Sequence, residues 1–99
     1  MLTKNEARRY LSDVPQEQSF WVNSGVVLRN LEDLANTLPD MNDDVFRHHV
    51  NKEKNDFSNW IGDVVGDKLL ANDLRSSKNK DSALKKVRNR LVSLKKKAV

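Results

Sequence analysis

Residues 19–28 read SFWVNSGVVL, two runs of β-branched and aromatic residues on either side of Asn23-Ser24-Gly25. Glycine readily adopts the positive φ of a tight turn, so this stretch predicts a β-hairpin. A lone two-stranded hairpin is at best marginally stable in water, and its apolar face must therefore rest on helices. The expected fold is α+β and predominantly α, with a small β-hairpin packed on a bundle of five or six short helices.

Helices are predicted on both sides of the hairpin by apolar residues at helical spacing. Residues 4–12 form a short amphipathic helix that ends before Pro15. After the hairpin, Asn30 is placed as an N-cap, and Pro39 ends the helix that Asn30 begins. The helices expected after the hairpin cover residues 30–38, 40–51, 57–65, 67–75 and 81–97. The core expected between these elements consists of Phe20, Val22, Leu31, Leu34, Phe46, Phe57, Trp60, Ile61, Leu70 and Leu74.

The chain is short, with 99 residues and no cysteine. This length predicts one small domain with a modest core and excludes a two-domain enzyme. Without cysteine, neither a disulfide nor a thiolate metal site can supplement that core. The first residues lack the apolar stretch of a signal peptide, and no apolar run is long enough for a membrane span, so we expect a cytoplasmic protein.

Charge divides the chain into two parts of opposite sign. Residues 1–75 hold nine basic and thirteen acidic side chains, a balance of −4, whereas residues 76–99 hold nine basic side chains and only Asp81, a balance of +8. The sequence therefore predicts a compact acidic body over 1–75 and a basic amphipathic C-terminal helix over 76–99, both within a single domain.

Three interpretations of the basic helix compete: packing on the body, binding of nucleic acid, and binding of a partner helix. Its apolar stripe, Leu84, Val87, Leu91 and Leu94, could simply pack on the body while Lys85, Arg88 and Lys95 pair with body carboxylates. Exposed ion pairs contribute only about 0–1 kcal/mol each, so stability alone does not explain a balance of +8. The stripe could instead bind a partner helix, in which case the positive flanks favour an acidic protein. Adsorption to an anionic membrane is disfavoured because the stripe has no Trp or Phe to insert.

The favoured interpretation is a small binding protein that holds nucleic acid, DNA or RNA, with little sequence selectivity. Lysine and arginine clusters bind phosphates by releasing counterions, and no base-reading motif is present. An interaction module that docks an acidic protein partner is the alternative. The oligomeric state is left open. The residues predicted to contact nucleic acid are Lys78, Lys80, Lys85, Lys86, Arg90, Lys95, Lys96 and Lys97, with Lys86, Arg90, Lys96 and Lys97 facing outward.

Signatures of catalysis are missing from the sequence. It has no phosphate-binding glycine loop, no nucleophile elbow and no cysteine nucleophile, so no enzymatic activity and no cofactor are expected. His48 and His49 are the only histidines, and Asp44 with His48 or His49 with Glu53 would supply only two metal ligands each. We therefore expect no metal site, with His49 hydrogen-bonded near the core and His48 in solvent.

Three sequence motifs include or follow the histidines. Phe46-Arg47-His48-His49-Val50-Asn51 and Asn55-Asp56-Phe57-Ser58-Asn59-Trp60-Ile61 resemble the F-x-x-H-V-N and N-D-F-x-x-W-I patterns of an uncharacterised family of small prokaryotic, often archaeal, domains. Gly66-Asp67-Lys68-Leu69-Leu70-Ala71 is similar to a third pattern of that family, G-D-x-x-L-A. The resemblance covers residues 19–75 and implies no activity. From the residues themselves, Asn55 or Asp56 is expected as an N-cap, and Phe57 and Trp60 are expected in the core.

Overall fold

The computed structural model describes residues 1–99 as six α-helices and one antiparallel hairpin, which confirms the expected fold class. The helix Asp56–Trp60 continues into a π-helical turn, Ile61–Val65, and Gly66 ends that turn with a φ of 94°. No helix of the chain combines the length and apolar character needed to cross a membrane. The elements are α1 (Lys4–Leu11), β1 (Phe20–Trp21), β2 (Val27–Leu28), α2 (Leu31–Thr37), α3 (Asp43–His49), α4 (Asp56–Trp60), α5 (Lys68–Arg75) and α6 (Lys80–Ala98).

The hairpin forms where the sequence predicts it. Phe20 pairs with Leu28 and Trp21 with Val27, and Gly25 has the expected positive φ, 101°. Strand residues alternate between the two faces, so Phe20 and Leu28 point inward while Trp21 is left 70% exposed.

Three contacts fix the hairpin on the helices. The Phe20 ring stacks on Phe57 with 4.9 Å between ring centroids. The backbone N–H of Asn23 donates to His49 Nε2 at 2.9 Å, and Trp60 Nε1 donates to the carbonyl of Gln18 just before β1, also at 2.9 Å. The helices thus supply both the apolar floor and the polar anchors that a two-residue strand pair lacks.

Every α-helix begins with a polar side chain that accepts a hydrogen bond from a first-turn backbone amide. These bonds satisfy donors that would otherwise have no partner. The start predicted at Asp40 for the third helix is wrong, because Leu38–Asp40 forms a 3₁₀ turn and Asn42 provides the cap for α3. The six N-caps are Thr3, Asn30, Asn42, Asn55, Asp67 and Asn79.

One apolar cluster of 22 buried residues joins all the helices. Nine of the ten predicted core residues belong to it, and Phe20 packs against its edge, half-buried. Four residues of α6 lie in the same cluster: Ala83, Val87, Leu91 and Leu94. Residues 1–75 and α6 therefore share one core.

Candidate nucleic-acid interface

The buried seam of α6 determines which of its cations reach solvent. Val87, Leu91 and Leu94 are buried as predicted, but Ala83 is the fourth member of the seam, and Leu84 lies half-buried at its edge. The seam is therefore rotated toward the side of α6 that carries Arg90. Through it, α6 packs against α1, α2 and α5.

Arg90 is part of the packed side of α6, and the prediction that it faces outward is wrong. Its Nε donates to Asp67 Oδ2 at 2.7 Å and its Nη2 to Asp67 Oδ1 at 3.0 Å. The Asp67 side chain is 1% exposed and that of Arg90 is 14% exposed. Asp67 Oδ1 also accepts the backbone N–H of Leu70 as the cap of α5. A buried carboxylate needs this compensation, so Arg90 is committed to the body.

Three lysines predicted to contact nucleic acid are also bonded to the body, although they stay closer to solvent. Lys80 Nζ donates to the carbonyl of Met41 at 2.7 Å. Lys86 Nζ donates to the carbonyl of Asp73 at 2.9 Å and to Ser76 Oγ at 3.0 Å. Lys95 pairs with Glu32 at 2.8 Å, as the body-packing interpretation expects, whereas Lys85 and Arg88 form no ion pair. Lys80 and Lys86 keep their charge because their partners are neutral oxygens, whereas the charge of Lys95 is balanced by Glu32.

The remaining cations of residues 76–99 have no polar partner within the chain. Lys85, Arg88 and Lys96 lie with Val92 on the side of α6 opposite the seam, at spacings of three, four and four residues. Val92 is 54% exposed. We call Lys85, Arg88, Val92 and Lys96 the outer stripe of α6. The five cations without an ion pair or hydrogen bond are Lys78, Lys85, Arg88, Lys96 and Lys97.

Two cations near this surface were missed by the sequence. With Leu84 as the fourth seam residue, Arg88 and Arg90 lie at similar angles on either side of the seam, and the sequence does not separate them. With Ala83 in its place, as in the structure, Arg88 turns toward solvent and Arg90 toward the body. Arg8 of α1 donates from Nε to the carbonyl of Ala98 at 3.0 Å, which brings a cation to the C-terminal end of α6. No local sequence signal indicates this contact, because 90 positions separate the two residues.

His49 has the structural role that was predicted. It is 5% exposed, and its Nε2 accepts the Asn23 N–H, so Nδ1 carries the proton and donates to Asp56 Oδ2 at 2.9 Å. Both ring nitrogens are thereby occupied within the chain. His48 is exposed, as expected.

Asp56 links this histidine to a lysine. Burial raises the pKa of Asp56, but the hydrogen bonds from His49 and Lys54 outweigh it, and the pKa lies below its ordinary value. The neighbouring Asn55 is the N-cap of α4, and its amide also donates to the carbonyl of Leu74 at 2.9 Å. Phe57 and Trp60 are buried, which confirms the expected cap and core roles of this motif.

Comparison of the chain with protein-family models, with curated proteins and with solved structures gave no match. The resemblance described from the three sequence patterns therefore stays a prediction. In this structure the residues of those patterns cap helices, fill the core and anchor the hairpin.

Proposed function

We propose that this protein is a non-enzymatic nucleic-acid-binding protein that contacts phosphates with the outer side of α6 and selects sequence weakly. One observation carries the proposal: five of the nine cations in residues 76–99 have no partner within the chain, and three of them, Lys85, Arg88 and Lys96, share the outer stripe of α6. Asp81 is the only acidic side chain in residues 76–99 and lies beside Lys85 and Arg88, so it offsets only part of their mutual repulsion. A phosphate backbone would offset the rest.

The geometry of the outer stripe suits a polyanion. Lys85 and Lys96 are eleven residues apart, which is about 16 Å along an α-helix. The helix is held rigidly by its seam and by the Arg90–Asp67 pair, so its cations are presented without an ordering cost for the backbone. Counterion release then supplies affinity that depends on salt and carries no sequence information.

A binding role rather than a catalytic one is also supported by three buried or half-buried titratable side chains, which all form hydrogen bonds within the chain. His49 and Asp56 bind each other and the hairpin, and Asp67 is held between Arg90 and the α5 N-terminus. These are the groups that burial would otherwise make reactive, and each has a structural partner.

The test is fluorescence anisotropy of a labelled generic duplex DNA and a single-stranded RNA with the full chain over a range of salt. With about five phosphate contacts, the slope of log K against log salt on duplex DNA is expected to be about −4 to −5. Replacing Lys85, Arg88 and Lys96 with glutamine should remove most of this binding. The matched control replaces Lys4, Arg9 and Lys52 with glutamine, three exposed cations outside α6 that also have no ion pair. Equal losses in the two triple variants would contradict an α6 site.

The exposed Val92 favours a second candidate, an interaction module that docks an acidic protein. Nucleic-acid phosphates gain nothing from an apolar side chain at the centre of the contact, whereas a protein partner could bury it. If the full chain binds neither nucleic acid at low salt, this second function replaces the first.

A further inference from the structure

A groove runs beside the hairpin on the acidic side of the molecule. Two open cavities, of about 430 and 320 Å³, adjoin there and share Val26, Asn36 and Thr37 as lining residues. Met41 and Val45 line the second cavity, and Val26 is 44% exposed. The middle of the groove is thus neutral and partly apolar.

The ends of the groove are negatively charged. Asp13 and Asp33 line one end, where Arg29 adds a single cation, and Asp40 lines the other. Asp43 follows within the first turn of α3. Asp40 and Asp43 form no ion pair or hydrogen bond through their side chains, and no basic residue occurs between Arg29 and Arg47. Its own chain brings two cations to the groove, Arg29 at one end and Lys80, whose Nζ donates to the carbonyls of Pro39 and Met41 on either side of Asp40. The four carboxylates outnumber them.

The outer stripe of α6 has the complementary order. Lys85 and Arg88 stand at one end and Lys96 at the other, with the exposed Val92 between them. The stripe has cations at both ends of an apolar centre, and the groove has carboxylates at both ends of an apolar centre, so the two surfaces match. Neither surface reaches the other within one molecule, because the stripe points away from the core seam that binds α6 to the body.

From this match we propose that the groove binds the outer stripe of α6 from a second copy of the chain. Val92 then enters the centre of the groove beside Val26, while Arg88 and Lys96 meet the carboxylates at its ends. Charge complementarity selects this occupant: the chain itself supplies a helix face with excess positive charge and a groove with excess negative charge, in which Asp40 and Asp43 have no ion pair. The inference does not depend on nucleic-acid binding, although both ligands would use the same helix face.

Such a contact is heterologous when each pair of copies makes it once, since the groove of one copy then binds the helix of the next. Each end of a dimer therefore keeps a free groove or a free stripe, and further copies can add until a ring closes. A polyanion that occupies the stripe would compete with this assembly. Self-association and nucleic-acid binding are thus expected to exclude each other at any one stripe.

Sedimentation velocity of the full chain over a range of concentration tests the proposal. At about 0.05 M salt, where charges interact over more than about 10 Å, the average mass should rise with concentration. In about 1 M salt, where the Debye length is about 3 Å, the chain should return to a monomer. A strictly monomeric chain at low salt and high concentration overturns the proposal.

Charge reversal separates the two surfaces. A groove variant, Asp40→Lys with Asp43→Lys, and a stripe variant, Lys85→Glu with Arg88→Glu and Lys96→Glu, should each be monomeric alone. Mixed together they should associate again, because each then offers the surface that the other needs. A milder groove variant, Asp40→Asn with Asp43→Asn, serves if lysine at the start of α3 impairs folding.

The control variant Glu17→Lys with Glu53→Lys makes the same charge change at two exposed acids outside the groove. It should associate like the unmodified chain. If it becomes monomeric too, net charge rather than the groove drives association, and the proposal fails. Because the groove variant keeps all cations of α6, its loss of self-association with retained DNA binding would distinguish this inference from the proposed function.

Discussion

Arg90 and Asp67 form a two-point ion pair that fixes α6 to the start of α5. Their hydrogen bonds are 2.7 and 3.0 Å long, and the same carboxylate caps α5 through the Leu70 amide. A guanidinium fork suits this geometry because it presents parallel donors to both oxygens. The pair lies at the joint between the acidic body and the basic helix, so it sets how the outer stripe is presented.

Removing Arg90 is expected to destabilise the fold. Arg90→Gln leaves Asp67 buried and without its cation, which should cost about 3–5 kcal/mol in the free energy of unfolding. Urea denaturation monitored by circular dichroism measures this cost. Arg90→Lys should recover only part of it, because an ammonium group cannot bind both oxygens in the same way. A loss below about 1 kcal/mol, the range of exposed pairs, would show that the pair is open to solvent.

Arg88 and Arg90 are expected to respond in opposite ways to the same substitution. Arg88 is exposed and has no ion pair, so Arg88→Gln should leave stability within about 0.5 kcal/mol. It should reduce the salt slope of DNA binding by about 1, as the loss of one phosphate contact does. Arg90→Gln should change the salt slope little at a temperature where the variant is folded. The reverse pattern would mean that the seam of α6 has been assigned to the wrong side.

Features that depend on residues close in the sequence could be predicted from it, whereas features that depend on tertiary contacts could not. The hairpin turn at Gly25 and the cap at Asn55 depend on neighbours within a few residues, and both were predicted. The split between Arg88 and Arg90 depends on whether Ala83 or Leu84 completes the seam, which only the shape of the facing helices decides. The contact of Arg8 with α6 joins opposite ends of the chain, and residue spacing contains no information about it.

The two tryptophans should differ sharply in their effect on stability. Trp60 is 7% exposed and donates to the Gln18 carbonyl, whereas Trp21 is 70% exposed. Trp60→Ala is therefore expected to cost about 3–5 kcal/mol and to unfold the body. Trp21→Ala, the matched control, should change the melting temperature little. An unchanged melting temperature for Trp60→Ala would place Trp60 on the surface and make it available as a ligand platform.

Asp56 is expected to make stability depend on pH in the acid range. Burial raises its pKa, but His49 and Lys54 together hold it below the ordinary value. A carboxylate whose pKa is lower in the folded state stabilises the fold above its unfolded pKa of about 3.9, and this contribution disappears as pH falls through the folded value. Asp56→Asn should therefore cost about 1–2 kcal/mol at neutral pH, the worth of hydrogen bonds to a charged group, and progressively less below about pH 4.

Lys54→Gln removes one of the two donors to Asp56 and should give a smaller cost with the same trend. Urea midpoints from pH 7 to pH 2 measure the difference between each variant and the unmodified chain, so that titrations common to both cancel. A difference that stays constant from pH 7 to pH 2 would contradict a stabilising role for the negative charge of Asp56. The loss would then arise from packing at the start of α4.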